Sequence, residues 1–321
     1  MSESGINAVA VLGTGVLGGQ IVWHTAYNGK RVVAYNRREA SLEKVRAAHD
    51  QLEQVYRSDL AASEADIAGT RSRVLYTSDL EEAVAGADLV IESLPEIPEI
   101  KTEYYKKMSG LLPEHTLIAT NSSTFLPRDF ADATGRPSKY CSLHFANKIW
   151  ALNMVEIMAH ISTAEETLTA VTKFAIEIGQ VPIPIQREQN GYVLNVWLPT
   201  MLNAALGLVV NGVSTPEDID RTYLIANRGC QLGPFGIIDT IGMRTQFELF
   251  DHWGHANNDE QMIRNAEYLK KQFLDKGLFG AENGKGFYDY PNPAFADPDF
   301  LAVPDFADVP AIVQRAKLKP E

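Results

Sequence analysis

His144 closes the apolar run that begins at Tyr140, and Glu156 follows twelve residues later inside Met154-Val155-Glu156-Ile157-Met158. Histidine titrates near neutral pH. A carboxylate on one of its ring nitrogens fixes the tautomer and leaves the other nitrogen to move a proton. Glu156 is flanked by apolar residues, where an unpaired carboxylate is expensive to bury, so it needs a partner. His144 is the candidate partner if the two runs are neighbouring strands. Their chemistry would be general acid–base work.

A second feature carries chemistry through its backbone. Gly13-Thr14-Gly15-Val16-Leu17-Gly18 follows the apolar run Ile6 to Leu12 and opens a helical pattern from Gly15 to Asn28. In this setting the first glycine permits a tight turn, the second lets a pyrophosphate approach the chain, and the third allows close helix packing. The helix N-terminus then offers amide donors to the phosphates. A nicotinamide dinucleotide is the expected cofactor. The second strand, Arg31 to Asn36, ends where an NAD site usually carries an acid that takes the ribose hydroxyls. Asn36 removes that carboxylate, and Arg37 and Arg38 can hold a 2′-phosphate with charged hydrogen bonds. NADP is favoured, with NAD the alternative.

These residues need a scaffold, and the first half of the chain supplies one by alternating strand-like and helix-like segments. Strands are expected at Val74 to Thr77, Ala87 to Ser93, Thr116 to Thr120, Tyr140 to Phe145, Met154 to Ala159 and Val181 to Ile185. Helices are expected at Ile97 to Leu112 and Ala164 to Ile178, with one long charged helical stretch from Glu39 to about Ala68. After about Arg187 strand signals stop and the pattern is helical. The fold class is α/β, a Rossmann-type doubly wound sheet domain followed by an all-helical C-terminal domain. The expected domains are 1–187, dinucleotide-binding with a helical insertion at about 39–68, and 188–321, for substrate and dimerisation, with an extended tail from Pro291.

The chain of 321 residues has 41 acidic and 29 basic residues, a formal charge of −12. Such a surface repels nucleic acid and anionic membrane, so neither is an expected partner. Cys141 and Cys230 form no metal-ligand or disulfide pattern; no metal is expected, and a reducing cytoplasm fits, as does the lack of a signal-like N-terminus. Tyr192 to Val213 is apolar all round but contains Asn195, Pro199, Asn203 and Asn211. That favours a core or interface helix over a membrane span, and a homodimer is expected.

Taken together, these segments resemble the L-3-hydroxyacyl-CoA dehydrogenase family, 3-hydroxybutyryl-CoA dehydrogenases included, from about Ile6 to Tyr290. Asn121-Ser122-Ser123 resembles the family's Asn-Thr-Ser-Ser, and Leu143-His144-Phe145-Ala146-Asn147 its Leu-His-Phe-Phe-Asn, with the acid again twelve residues on. Gly191-Tyr192-Val193-Leu194-Asn195 resembles Gly-Phe-Ile-Val-Asn; Gly233-Pro234-Phe235, Asp239, Gly242 and Gly286-Phe287-Tyr288 resemble segments of the helical domain. The resemblance implies interconversion of an L-3-hydroxyacyl-CoA, short-chain such as 3-hydroxybutyryl-CoA, and its 3-keto form. It implies His144 as base, Glu156 as its orienting partner, and Ser123 and Asn195 around the reacting oxygens. It also implies Glu96, Lys101 and Asn121 on the cofactor side.

The chain departs from the family at Lys148 and at Asn190, where proline is common, and at Val196, where arginine often follows the asparagine. The lobe at 39–68, which the resemblance assigns to CoA, sets Lys44, Arg46 and Arg57 among Glu43, Asp50, Glu53, Asp59, Glu64 and Asp66. That acidic balance suits a phosphate-rich ligand poorly. Two alternatives therefore stay open: a free 3-hydroxy acid as substrate, as in the related gulonate dehydrogenases, and a non-catalytic dinucleotide-binding protein.

Overall fold

The computed structural model describes residues 4–230, 232–298 and 300. The chain divides into two compact units, one up to Val196 and one from Trp197.

The first unit is built on β1 (Ala8–Leu12), α1 (Val16–Tyr27), β2 (Arg31–Tyr35), α2 (Glu39–Asp59), α3 (Glu64–Ser72), β3 (Val74–Thr77), α4 (Leu80–Val84), β4 (Leu89–Glu92), α5 (Pro98–Ser109), β5 (Leu117–Thr120), β6 (Tyr140–Phe145), β7 (Met154–Met158), α6 (Glu165–Glu177) and β8 (Val181–Ile185). The strands form one sheet in the order β3-β2-β1-β4-β5-β6-β7-β8. β1 lies between β2 and β4 and runs parallel to both, so the strand order reverses there. A crevice outside the strand ends at such a reversal is where open α/β sheets bind ligands.

Strand residues alternate between two cores. Val9, Val11, Val32, Ala34 and Ile91 pack with Ile21, Val22 and Ala26 of α1 and with Phe174 and Ala175 of α6. Ala10, Leu12, Val90 and Ile118 face Ala83 and Val84 of α4 and Tyr105 and Met108 of α5. Burial on both faces accounts for the unbroken apolar runs.

The sheet is not wholly parallel. β7 returns antiparallel to β6, and the register sets His144 directly opposite Glu156. The charged stretch from Glu39 is two helices rather than one. Ser63 caps α3 in a reciprocal box with Asp66, and Ala61 adopts a left-handed conformation that ends the run from α2. α4 was not anticipated; Asp79 caps it by accepting the amides of Glu81 and Glu82.

α7 (Leu194–Val210) starts in the first unit. The second unit continues it with α8 (Pro216–Ala226), α9 (Pro234–Ile241), α10 (Met243–Asn257) and α11 (Glu260–Gln272). Its core gathers Leu202, Leu206, Phe235, Ile238, Phe250 and Leu269. Among the described residues this unit carries helices and isolated bridges but no strand. The glycine-rich segments near its end serve this packing. Asp239 accepts the amides of Phe287 at 2.9 Å and Tyr288 at 3.0 Å and the Tyr290 hydroxyl at 3.1 Å. A Cβ on Gly286 would stand 2.1 Å from the Asp239 carboxylate, so only glycine fits. Burial, against those hydrogen bonds, pushes Asp239 up to about 6. The tail from Leu301 lies outside the described residues.

Candidate active site

The cofactor-side cleft, about 360 Å³, is lined by Gly13, Thr14, Gly15, Tyr35, Asn36, Arg37, Arg38, Ser41 and residues after β4 and in α5. Gly13 sits at φ +103°, and a Cβ there would meet the Ser93 carbonyl oxygen at 2.2 Å. A Cβ on Gly18 would meet the Gly13 oxygen at 2.1 Å, whereas nothing lies within 4 Å of the one Gly15 would carry. Two glycines thus close the turn, and the third leaves an open face at the start of α1. That cradle fits a pyrophosphate. Val16 stands exposed at the first helical position and Leu17 packs on the core. Asn36 donates to the Thr14 hydroxyl at 3.0 Å and accepts the Arg38 amide at 3.2 Å, so its side chain braces the loop. Arg37 and Arg38 are exposed, and neither forms a salt bridge among the described residues.

At the ends of β5, β6 and β7 the side chains converge. The His144 Nδ1 is 2.8 Å from a Glu156 oxygen, and both residues are buried. The other Glu156 oxygen accepts the amides of Val193 at 2.8 Å and Leu194 at 2.9 Å, where α7 begins. Unpaired amides at a helix start favour a carboxylate. Burial works to raise the Glu156 carboxyl, yet the bonds from His144, Leu194 and Val193 hold it below its usual range. A carboxylate on Nδ1 makes that nitrogen the proton donor and leaves Nε2 with its lone pair. The Ser123 hydroxyl lies 3.0 Å from Nε2, and the Asn195 amide nitrogen lies 3.5 Å from it. All four residues inferred from the sequence therefore meet around one imidazole.

Glu96 joins this cluster rather than standing apart from it. It accepts the Ser122 hydroxyl at 2.9 Å and the Ser123 amide at 2.8 Å, fixing the elbow after β5. Asn121 ties strand ends: its oxygen accepts the Phe145 amide at 2.9 Å and its nitrogen lies 3.4 Å from the Ser93 hydroxyl. Lys101 is fully buried and does not line the cleft; its ammonium is held at 2.7 Å by Glu92. In the sequence Tyr192 belongs to a motif but carries no assigned role. Its ring stacks on His144, with centroids 4.5 Å apart and planes 11° apart. Ser41, Tyr35 and Tyr104, which help line the cleft, lacked any motif.

Residues 8–189 match the model of the 3-hydroxyacyl-CoA dehydrogenase NAD binding domain, and residues 191–290 match that of the 3-hydroxyacyl-CoA dehydrogenase C-terminal domain. The chain belongs to the 3-hydroxyacyl-CoA dehydrogenase family. Members of this family are oxidoreductases that interconvert 3-hydroxyacyl-CoA and 3-ketoacyl-CoA with a nicotinamide dinucleotide. The mitochondrial hydroxyacyl-coenzyme A dehydrogenase of Sus scrofa is 28% identical over 290 residues, 89% of this chain and 91% of its own. A probable 3-hydroxybutyryl-CoA dehydrogenase of Bacillus subtilis is 29% identical, covering 89% of this chain and 98% of its own. Among solved structures, a diketoreductase described as acting on dicarbonyl compounds is 40% identical, with a TM-score of 0.79 over 89% of this chain and 99% of that one. An (S)-3-hydroxybutyryl-CoA dehydrogenase from Ralstonia eutropha is 26% identical, with a TM-score of 0.73 over 89% of this chain and 100% of that one.

Proposed function

We propose that this family member interconverts a short-chain L-3-hydroxyacyl-CoA and its 3-ketoacyl-CoA, with His144 as the acid–base. The observation that carries the reading is an imidazole with Nδ1 taken by Glu156 at 2.8 Å and Nε2 turned toward Ser123 at 3.0 Å. In oxidation, Nε2 takes the proton of the 3-hydroxyl as the C3 hydrogen departs as hydride; in reduction it returns the proton to the 3-keto oxygen. The nicotinamide cofactor accepts or supplies that hydride when bound. Glu156 orients the ring and offsets the charge it gains. Ser123 and Asn195 hold the reacting oxygen, a positioning effect that lowers the barrier through prepaid orientation. Gly13, Gly15 and the α1 amides hold the pyrophosphate.

NADP is the favoured cofactor, because Arg37, Arg38 and Ser41 line the cleft beside an asparagine rather than an acid. A homodimer is proposed through α7, where Trp197 and Leu208 stay 48% and 41% exposed. Large apolar side chains left open on one helix fit a two-fold interface. Among the described residues no helix is long and apolar enough to cross a membrane, and Cys141 and Cys230 are both free, which suits the cytoplasm.

A second reading, a free 3-oxo acid or another small dicarbonyl, has its own support. In the lobe assigned to CoA, Arg57 is engaged by Glu64 at 2.8 Å and Glu53 at 3.6 Å, and Arg46 by Glu39 at 3.3 Å. Trp150, at the departure after Asn147, donates to Asp59 of the same lobe at 2.9 Å. Arginines already paired with acids have less to offer phosphates. Initial rates with acetoacetyl-CoA and with free acetoacetate, each with NADPH and NADH, decide between the readings. Fast turnover of the thioester alone is the expected result; equal or faster turnover of the free acid moves the chain to the second reading.

A further inference from the structure

Tyr192 touches three parts of the catalytic cluster at once. Its ring lies face to face with the His144 imidazole at 4.5 Å and 11°. Its hydroxyl donates to the carbonyl of Ser122 at 2.8 Å, on the elbow that carries Ser123. Its backbone, at φ +56° after Gly191 at φ +79°, turns the chain into α7 so that the next two amides reach Glu156. Positive φ is costly for a bulky side chain and persists where the surroundings over-determine it. Here the surroundings are the ring stack, the hydroxyl bond and packing on Leu126 and Met158.

Stacked aromatic rings attract one another beyond the area they bury. The stack covers one face of the imidazole with a flat apolar ring and limits its tilt.

We propose that Tyr192 is a positioning residue: its ring holds His144 in plane, and its hydroxyl locks the Ser122–Ser123 elbow against Nε2. The proposal rests on His144 being the base. The ionisable groups that act on Tyr192 are Glu96, Glu156 on β7 and Cys141 on β6. Burial holds the Cys141 thiol up at about 12 and the Tyr192 phenol above its usual range, so neither titrates near neutral pH.

The test is oxidation of 3-hydroxybutyryl-CoA by NADP in Tyr192→Phe, Tyr192→Leu and His144→Gln. Tyr192→Phe keeps the stack and loses one hydrogen bond. Its kcat falls roughly three- to tenfold. Tyr192→Leu keeps an apolar cover but removes the flat face. Its kcat falls about tenfold or more, with KM for the cofactor unchanged. Native kcat in Tyr192→Leu overturns the role. So does an equal loss in both variants, or a loss matched by a rise in KM for the cofactor, which is the signature of a mere filler. Should Tyr192→Leu not fold, native kcat in Tyr192→Phe overturns the claim for the elbow. His144→Gln separates this proposal from the reading beneath it. Near-native turnover there removes the base itself, whereas its loss beside an unaltered Tyr192→Leu removes only the role given to Tyr192.

Discussion

Two buried carboxylates close neighbouring regions of the same sheet, and they are used differently. Glu92, at the end of β4, is closed on every side. One oxygen takes the Lys101 ammonium at 2.7 Å and the Leu94 amide at 2.6 Å; the other takes the hydroxyls of Tyr105 at 2.8 Å and Thr120 at 2.7 Å. Its cation is fully buried with it. Glu156, on β7, is as deeply buried and as fully bonded, but its partner is an imidazole with a second nitrogen. That nitrogen faces two neutral side chains that can yield to a substrate oxygen. Burial and ion pairing alone therefore do not mark a reactive site. A partner with an unspent proton site does, and the lysine of the first pair has none.

Substitutions in both pairs, at the serine elbow and at the cofactor loop break or sharpen this contrast. The largest effect is expected on the closed pair. Lys101→Met strands the Glu92 carboxylate and costs about 3–5 kcal/mol of stability by urea melting. Adding Glu92→Leu recovers part of that loss, because the two residues are coupled; purely additive losses would mean the pair is not a unit. In the open pair, Glu156→Gln lowers kcat about 10²–10³-fold with the fold retained, within the usual range for acid–base assistance. The same change alters acid stability with a definite sign. The folded Glu156 carboxyl lies below its ordinary value, so its stabilisation is present above the usual carboxylate range and is lost as pH falls through the lowered value. Melting curves of the native chain should therefore fall on acidification more steeply than those of Glu156→Gln; parallel curves would deny the shift.

Ser123→Ala removes one hydroxyl from Nε2 and is expected to lower kcat about tenfold or more, as loss of one donor at a reacting oxygen does. Unchanged KM for the cofactor would show that the effect sits in the chemical step, and a KM-only effect would contradict it. The smallest effect belongs to the backbone-built site. Asn36→Asp with Arg37→Gln should move the NADPH-to-NADH ratio of kcat/KM toward NADH by roughly tenfold, the size of one charged hydrogen bond. An unaltered ratio would show that these residues do not read the 2′-position.

What the sequence revealed follows the same division. The glycine loop was legible because each glycine answers a local requirement: Gly13 has no room for a Cβ, and Gly15 leaves its face open. The alternation of strands and helices was legible because both sheet faces are buried, giving apolar runs of strand length. His144 and Glu156 could be paired because a carboxylate among apolar residues must find a partner, and antiparallel β6 and β7 supply it across one register step.

Features created by long-range contact were not legible. Nothing near Lys101 in the sequence says that its ammonium turns inward to Glu92. Nor does the apolar stretch after Gly191 reveal that one tyrosine stacks on a histidine 48 positions earlier. The break between α2 and α3 did have a local signal, Ser63 with Asp66 three residues on, hidden within a charged run.

The most direct test of the account is kcat for oxidation of 3-hydroxybutyryl-CoA by His144→Gln, with NADPH affinity and melting temperature measured on the same protein. The account predicts a fall of about 10²–10⁴-fold, with cofactor affinity and melting close to the native values. Turnover within a few-fold of the native enzyme would contradict it, and would leave the His144–Glu156 pair a structural bond like that of Glu92 and Lys101.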